Sequence, residues 1–192
     1  MKSWRVATLT LTLTVAVSTE TLASAGEAFG KRIEAIVHAV DEVDRFDDNL
    51  FSNPEMKDMF SHSFQLKGGA LGYLFEHPDL PRTEARVTMA TLQCLPLSEY
   101  LALIDKLGKA GSGKVSQWVL LYSVSPGIEW STRLAIGFRQ SEVRETLLRL
   151  SASPNATRIV KNSIEDILKG RVARYVSREK ITPKWQCSAE RD

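Results

Sequence analysis

Apolar residues recur every three or four positions along most of this chain, the spacing that gathers them on one face of an α-helix. Phe29, Ile33, Ile36, Val37 and Val40 form the first stripe, with Glu34, His38, Asp41 and Arg45 on the opposite face. Asn53-Pro54 predicts a second helix start, because Asn caps and Pro suits the first helical position. Met56, Met59, Phe60 and Phe64 supply its apolar side, and Gly68-Gly69 predicts its end. Tyr73 then falls on a loop beside the glycines, in a short segment ahead of the turn His77-Pro78-Asp79-Leu80-Pro81. Thr83-Glu84 opens a helix reaching about Cys94, and Pro96 precedes the stripe Leu97, Tyr100, Leu101, Ile104 and Leu107, with Gly108 as the stop. Val115, Trp118, Val119 and Tyr122 follow a Gly-rich joint. Ser125-Pro126, Ser141-Glu142 and Ser153-Pro154 mark three further starts, and the last helix ends at Gly170.

Short helices joined by short loops must pack as antiparallel neighbours. Nothing alternates with period two beyond the first 25 residues, which predicts an all-α fold of antiparallel helix pairs. The near-regular starts fit a short HEAT-like solenoid, whereas the absence of a motif at fixed period fits an irregular helical bundle. Both stay open on the sequence.

The first 25 residues read differently. Lys2 and Arg5 precede an uncharged stretch over 6–17, and Ala23-Ser24-Ala25 is followed by Gly26. Residues 8–15 alternate like a strand, but position, charge and the A-x-A site together form the grammar of a cleaved secretory signal. The apolar run is shorter than the roughly 20 residues that span a bilayer, so membrane insertion is not expected. The expected organisation is a signal peptide over 1–25, one helical domain over 26–180 and an irregular tail over 181–192, with the mature protein in the periplasm.

Removal of that segment leaves 167 residues, 23 basic and 22 acidic, enough for one domain with a core of its own. So even a balance carries no electrostatic footprint for nucleic acid. The densest single-sign patch, Asp41, Glu42, Asp44, Asp47 and Asp48, reads as a solvated helix face or as a docking surface for a basic partner. In an oxidising compartment Cys94 and Cys187 are most simply one disulfide closing a loop of 94 residues, which ties the tail to the middle of the domain. Two buried free thiols are the alternative.

Catalytic patterns are thin. Gly108 to Lys114 has the spacing of a phosphate-binding loop, but Val115 stands where Ser or Thr should hold magnesium, and a helix precedes it where a strand is required. His38, His62 and His77 show no metal-ligand spacing. Ser177-Arg178-Glu179-Lys180 matches S-x-x-K without companion motifs, and neither G-x-S-x-G nor H-E-x-x-H occurs. No cofactor, metal or catalytic residue is expected. The better candidates are aromatic and Arg side chains, which dominate interface energies: Trp118, Trp130 and Arg139, with Tyr73 as a loop contact. Aromatics at helical spacing are otherwise core.

The stretch Ala85-Arg86-Val87-Thr88-Met89-Ala90-Thr91-Leu92-Gln93-Cys94, the helix pairs running on to Gly170 and the late Cys187 resemble the immunity proteins that guard bacteria against type VI secretion amidase effectors. The resemblance implies a periplasmic protein that binds a peptidoglycan-cleaving amidase and occludes its active site, as a homo-oligomer. No functional residue is carried over from it. A periplasmic adaptor, chaperone or assembly protein fits the same residues.

Overall fold

A computed structural model describes residues 19–41, 53–111, 115–124 and 132–178, and all regular secondary structure within them is helical. In chain order the helices are α1 (Thr19–Asp41), α2 (Pro54–Ser61), α3 (Ser63–Glu76), α4 (Arg82–Thr91), α5 (Leu97–Lys109), α6 (Gln117–Val124) and α7 (Thr132–Ile136). A 3₁₀ turn, Gly137–Arg139, leads into α8 (Ser141–Ala152), α9 (Arg158–Leu168) and α10 (Arg171–Arg178). The all-α expectation holds.

Contacts run in two rows. Helices α1, α4, α6 and α9 touch in succession, while α3 lies on α1, and α5 packs on both α6 and α8. The Lys67–Glu99 ion pair and Lys106, 5.8 Å from the centroid of Phe75, join α3 to α5. One continuous core lies between the rows. It contains Phe29, Ile33 and Ile36 from α1, Met56 and Met59 from α2, Met89 from α4, Ile104 and Leu107 from α5, Leu120 from α6 and Ile164 from α9. Burial of each such side chain is worth roughly 1.5–3 kcal/mol against exposure.

Several boundaries differ from the sequence reading, each because packing replaces a local signal. The Asn53 cap is as expected, its Oδ1 accepting the Met56 N–H at 3.1 Å. The chain then breaks at His62 rather than at the glycines. This break turns Phe64 outward to 57% exposure, so it is not part of the apolar side. Gly68 and Gly69 lie inside α3. A Cβ on Gly69 would sit 2.8 Å from the Ala25 carbonyl oxygen of α1, and one on Gly30 would sit 2.7 Å from the Tyr73 ring. The glycines permit a close crossing of α1 and α3 rather than ending a helix.

Gly108 stands one residue before the end of α5, as expected, and lies beneath Leu150. Ser153 opens no helix. Its hydroxyl donates to the Gly108 carbonyl at 2.6 Å and accepts the Asn155 N–H at 3.1 Å, which joins the α8–α9 connection to α5. Helix α9 starts at Arg158, capped by the Thr157 hydroxyl. Gly170 does end α9, with φ of 66°, but α10 follows it. The expected signal boundary between Ala25 and Gly26 falls within α1, whose residues 19–25 contain no helix breaker. The start expected at Ser125-Pro126 and the tail over 181–192 lie outside the described residues.

The α1–α3 crossing predicts opposite effects at adjacent glycines. A Cβ at Gly68 meets nothing within 4 Å, so Gly68→Ala should stabilise by up to about 1 kcal/mol through helix propensity alone. In the uncleaved chain Gly69→Ala should destabilise by about 1–3 kcal/mol, because the new methyl must displace the Ala25 backbone of α1. Urea unfolding of the two variants reads the difference.

Candidate partner-binding site

Helix α6 turns Val119, Leu120, Ser123 and Val124 into the core, and Trp118, Leu121 and Tyr122 stay half-buried along its outer side. Arg82, the first residue of α4, is exposed and spans to this row. Its Nε–H donates to the Tyr122 hydroxyl oxygen at 2.8 Å, and its guanidinium carbon lies 5.1 Å from the Trp118 ring centroid. Tyr122 therefore holds the guanidinium in place while Trp118 supplies a π-face beneath it. The result is a pre-ordered surface cluster of Arg, Trp and Tyr, the residue types that most often anchor protein interfaces. The sequence pointed to Trp118 but not to Arg82. No local spacing connects two residues that only the packing of α4 on α6 brings together.

Beneath the cluster lies a closed polar network. The Tyr100 hydroxyl donates to the Ser123 carbonyl at 2.9 Å and accepts from Gln93 Nε2 at 3.0 Å, all three residues being buried. This chain of bonds links the end of α4, the start of α5 and the end of α6, so it sets the position of the helix that carries Trp118.

Tyr73 corrects the sequence reading. It lies within α3, is 2% exposed, and is not a loop contact. Its ring sits 5.9 Å from Phe29 and 4.5 Å from His77 between centroids, and its hydroxyl donates to Glu84 Oε2 at 2.8 Å. Burial, reinforced by the Glu84 carboxylate, pushes its pKa well above the ordinary phenol value. It serves as a packing residue and is not accessible to a partner.

Arg139 is exposed, 5.4 Å from the Phe138 ring centroid, at the mouth of a groove against α10. Trp118, Tyr73 and Arg139 thus occupy three separate surroundings. Trp130 and Cys187 lie outside the described residues. Cys94 is half-buried against the core in the turn after α4, and it is not a free thiol.

A second cleft of about 360 Å³ is lined by Asp105, Gly108, Lys109, Arg149 and Ser153, among others. Asp105 is held by hydrogen bonds from Lys109 and from Arg149 Nε (2.9 Å), which lower its carboxyl pKa. Among the described residues no group of three His, Cys, Asp or Glu side chains is placed to hold a metal, and no helix is long and apolar enough to cross a membrane. No family model, curated protein or solved structure matches the chain.

The lowered Asp105 pKa predicts a pH dependence. Its ion pairs contribute stability above the unfolded-state pKa and lose it as pH falls through the lower folded-state value. Asp105→Asn should be less stable than the parent at neutral pH, and the gap should persist down to the ordinary carboxyl range, about pH 4, and close only below it. Urea midpoints at several pH values measure it, and a constant gap would contradict the ion-pair assignment.

Proposed function

We propose that this chain is an exported binding protein that inhibits a peptidoglycan-cleaving amidase by covering its active-site cleft. The observation that carries the reading is the ordered Arg82–Trp118–Tyr122 cluster on a rigid pair of helices. An anchor already held in its bound geometry loses little side-chain entropy on association. A rigid two-row helical body is suited to occlusion, because a cleft blocked by packed helices cannot be reopened by rotation of single side chains. The clefts along α10 and beside Asp105 are left for other contacts.

Export is part of the proposal. Cleavage after Ala25 would keep Gly26, Phe29, Gly30, Ile33 and Ile36, through which α1 joins the core, and would remove the Ala25 carbonyl that lies against Gly69. A Cys94–Cys187 bond would then pin the tail to the turn between α4 and α5. Closure of so long a loop is worth on the order of 4–5 kcal/mol.

Two measurements follow. Mass spectrometry of the exported protein should find Gly26 at the N-terminus, and thiol titration of the unfolded, unreduced protein should find no reactive cysteine. A soluble product retaining residues 1–25, or two thiols per chain, would count against export and the disulfide respectively. For inhibition, the product of any cell-wall hydrolase gene found beside this one is expressed in the periplasm with and without the chain. The chain should prevent lysis, and Trp118→Ala and Arg82→Ala should each weaken amidase binding by about 2 kcal/mol or more while leaving helicity unchanged. Lysis in the presence of the intact chain would refute the reading.

A further inference from the structure

A groove of about 410 Å³ lies between the 3₁₀ turn and α10, lined by Phe138, Arg139, Gly170, Ala173, Arg174 and Ser177. Ala173, Arg174 and Ser177 share one face of α10, and Gly170 immediately precedes its first residue. Gly170, Ala173 and Ser177 have small side chains, which leaves the face open along its length. At its head the Phe138 ring lies against Gly170, where an added Cβ would stand 2.9 Å from Cζ. One end of the groove is therefore apolar and closely packed.

Among the described residues its charge is of one sign: Arg139 and Arg174 both line it, both are exposed, and no carboxylate lines it. Elsewhere Arg32 meets Asp58 at 2.7 Å, Arg149 meets Asp105 at 2.9 Å, and Arg171 meets Asp166. Among the described residues, Arg139 and Arg174 have no such partner. Arg174 Nη1 reaches only the Lys169 carbonyl, at 3.4 Å, and Arg139 lies over the Phe138 ring. A guanidinium presents paired N–H donors that match a carboxylate in a bidentate fork, and two of them along one trough favour a ligand bearing successive negative charges.

Building on the partner-binding reading above, we propose that this groove receives an extended acidic segment of the protein partner. Carboxylates of that segment meet Arg139 and Arg174, and its backbone lies along Gly170, Ala173 and Ser177. The Arg82–Trp118–Tyr122 cluster would anchor the partner by stacking, and the groove would select its charge. Complementarity of this kind acts on encounter rate and on choice of partner.

The probe is a fluorescein-labelled hexaglutamate peptide, titrated by anisotropy into the full chain at low salt, with inorganic phosphate as competitor. Saturable binding is expected. Arg139→Gln and Arg174→Gln should each weaken it at least tenfold, and so should Ala173→Leu, which fills the groove and leaves the charges in place. Lys161→Gln, which removes an exposed cation that does not line the groove, should change it less than twofold. Circular dichroism confirms that each variant is folded, and the two Arg variants suffice if Ala173→Leu is not. Absence of binding, binding by both Arg variants as tight as by the parent, or full competition by phosphate at matched charge would overturn the assignment. If both Arg variants hold the amidase as tightly as the parent does, the groove is wrong and the inhibitor reading survives. If hexaglutamate binds in the groove but the chain fails to prevent lysis, that reading falls and the acidic-peptide site remains.

Discussion

The rest of the molecule is organised around the close approach of α1 to α3. Helices with ordinary side chains at their contact stay far enough apart to seat those side chains. Here Gly26 and Gly30 on α1 and Gly69 on α3 remove that layer, so the Tyr73 ring lies directly on the α1 backbone at Gly30. Once held there, α1 serves several partners. It packs on α4 through the Ile33 and Ile36 side of the core, and Arg32 reaches Glu55 and Asp58 on α2. Tyr73 extends the same contact to α4 through Glu84. A methyl group at Gly69 would push apart the first pair of the stack.

A second constraint is polar and buried. Gln93, Tyr100 and Ser123 satisfy one another where three helices converge, and an orphaned buried group of this kind costs about 1–3 kcal/mol. Fully satisfied, the network specifies one relative placement of α4, α5 and α6. Its consequence appears at the surface. The outer side of α6 can present Trp118 and Tyr122 to Arg82 only while its inner side is held by Tyr100.

Charge contributes differently. Lys31–Glu27, Lys169–Glu165 and Arg171–Asp166 are exposed pairs, whose attraction water and salt screen, so they do little to hold the fold. Stability rests instead on the continuous apolar core between the two rows. Guanidinium groups at the surface can therefore be spent on recognition without loss of the fold. Among the described residues, Arg82, Arg139 and Arg174 line such surface features without a carboxylate partner.

Periodicity and start signals alone determined the all-α class and the Asn53-Pro54 cap. They also determined the core stripe Phe29, Ile33 and Ile36 and the stripe Tyr100, Leu101, Ile104 and Leu107. Each of these follows from backbone geometry within a few residues. Glycine was where local reasoning failed: at position 69 it reads as a stop, and in the structure it is a close contact with Ala25, whereas Gly108 stands one residue before the end of α5, as its reading expects, and also admits Leu150. A missing side chain has the same appearance in sequence whether it frees φ or admits a neighbour, and only the neighbour distinguishes the two. Tyr73 was misplaced for the same reason, being assigned to a loop that the glycines do not make. Trp118 was legible as an amphipathic aromatic on a helix, but its partner Arg82 lies 36 residues away and Arg174 lies 35 residues from Arg139. Sequence spacing encodes contacts along one helix. Which helices meet, and so which charges share a groove, is decided by the packing of the whole core.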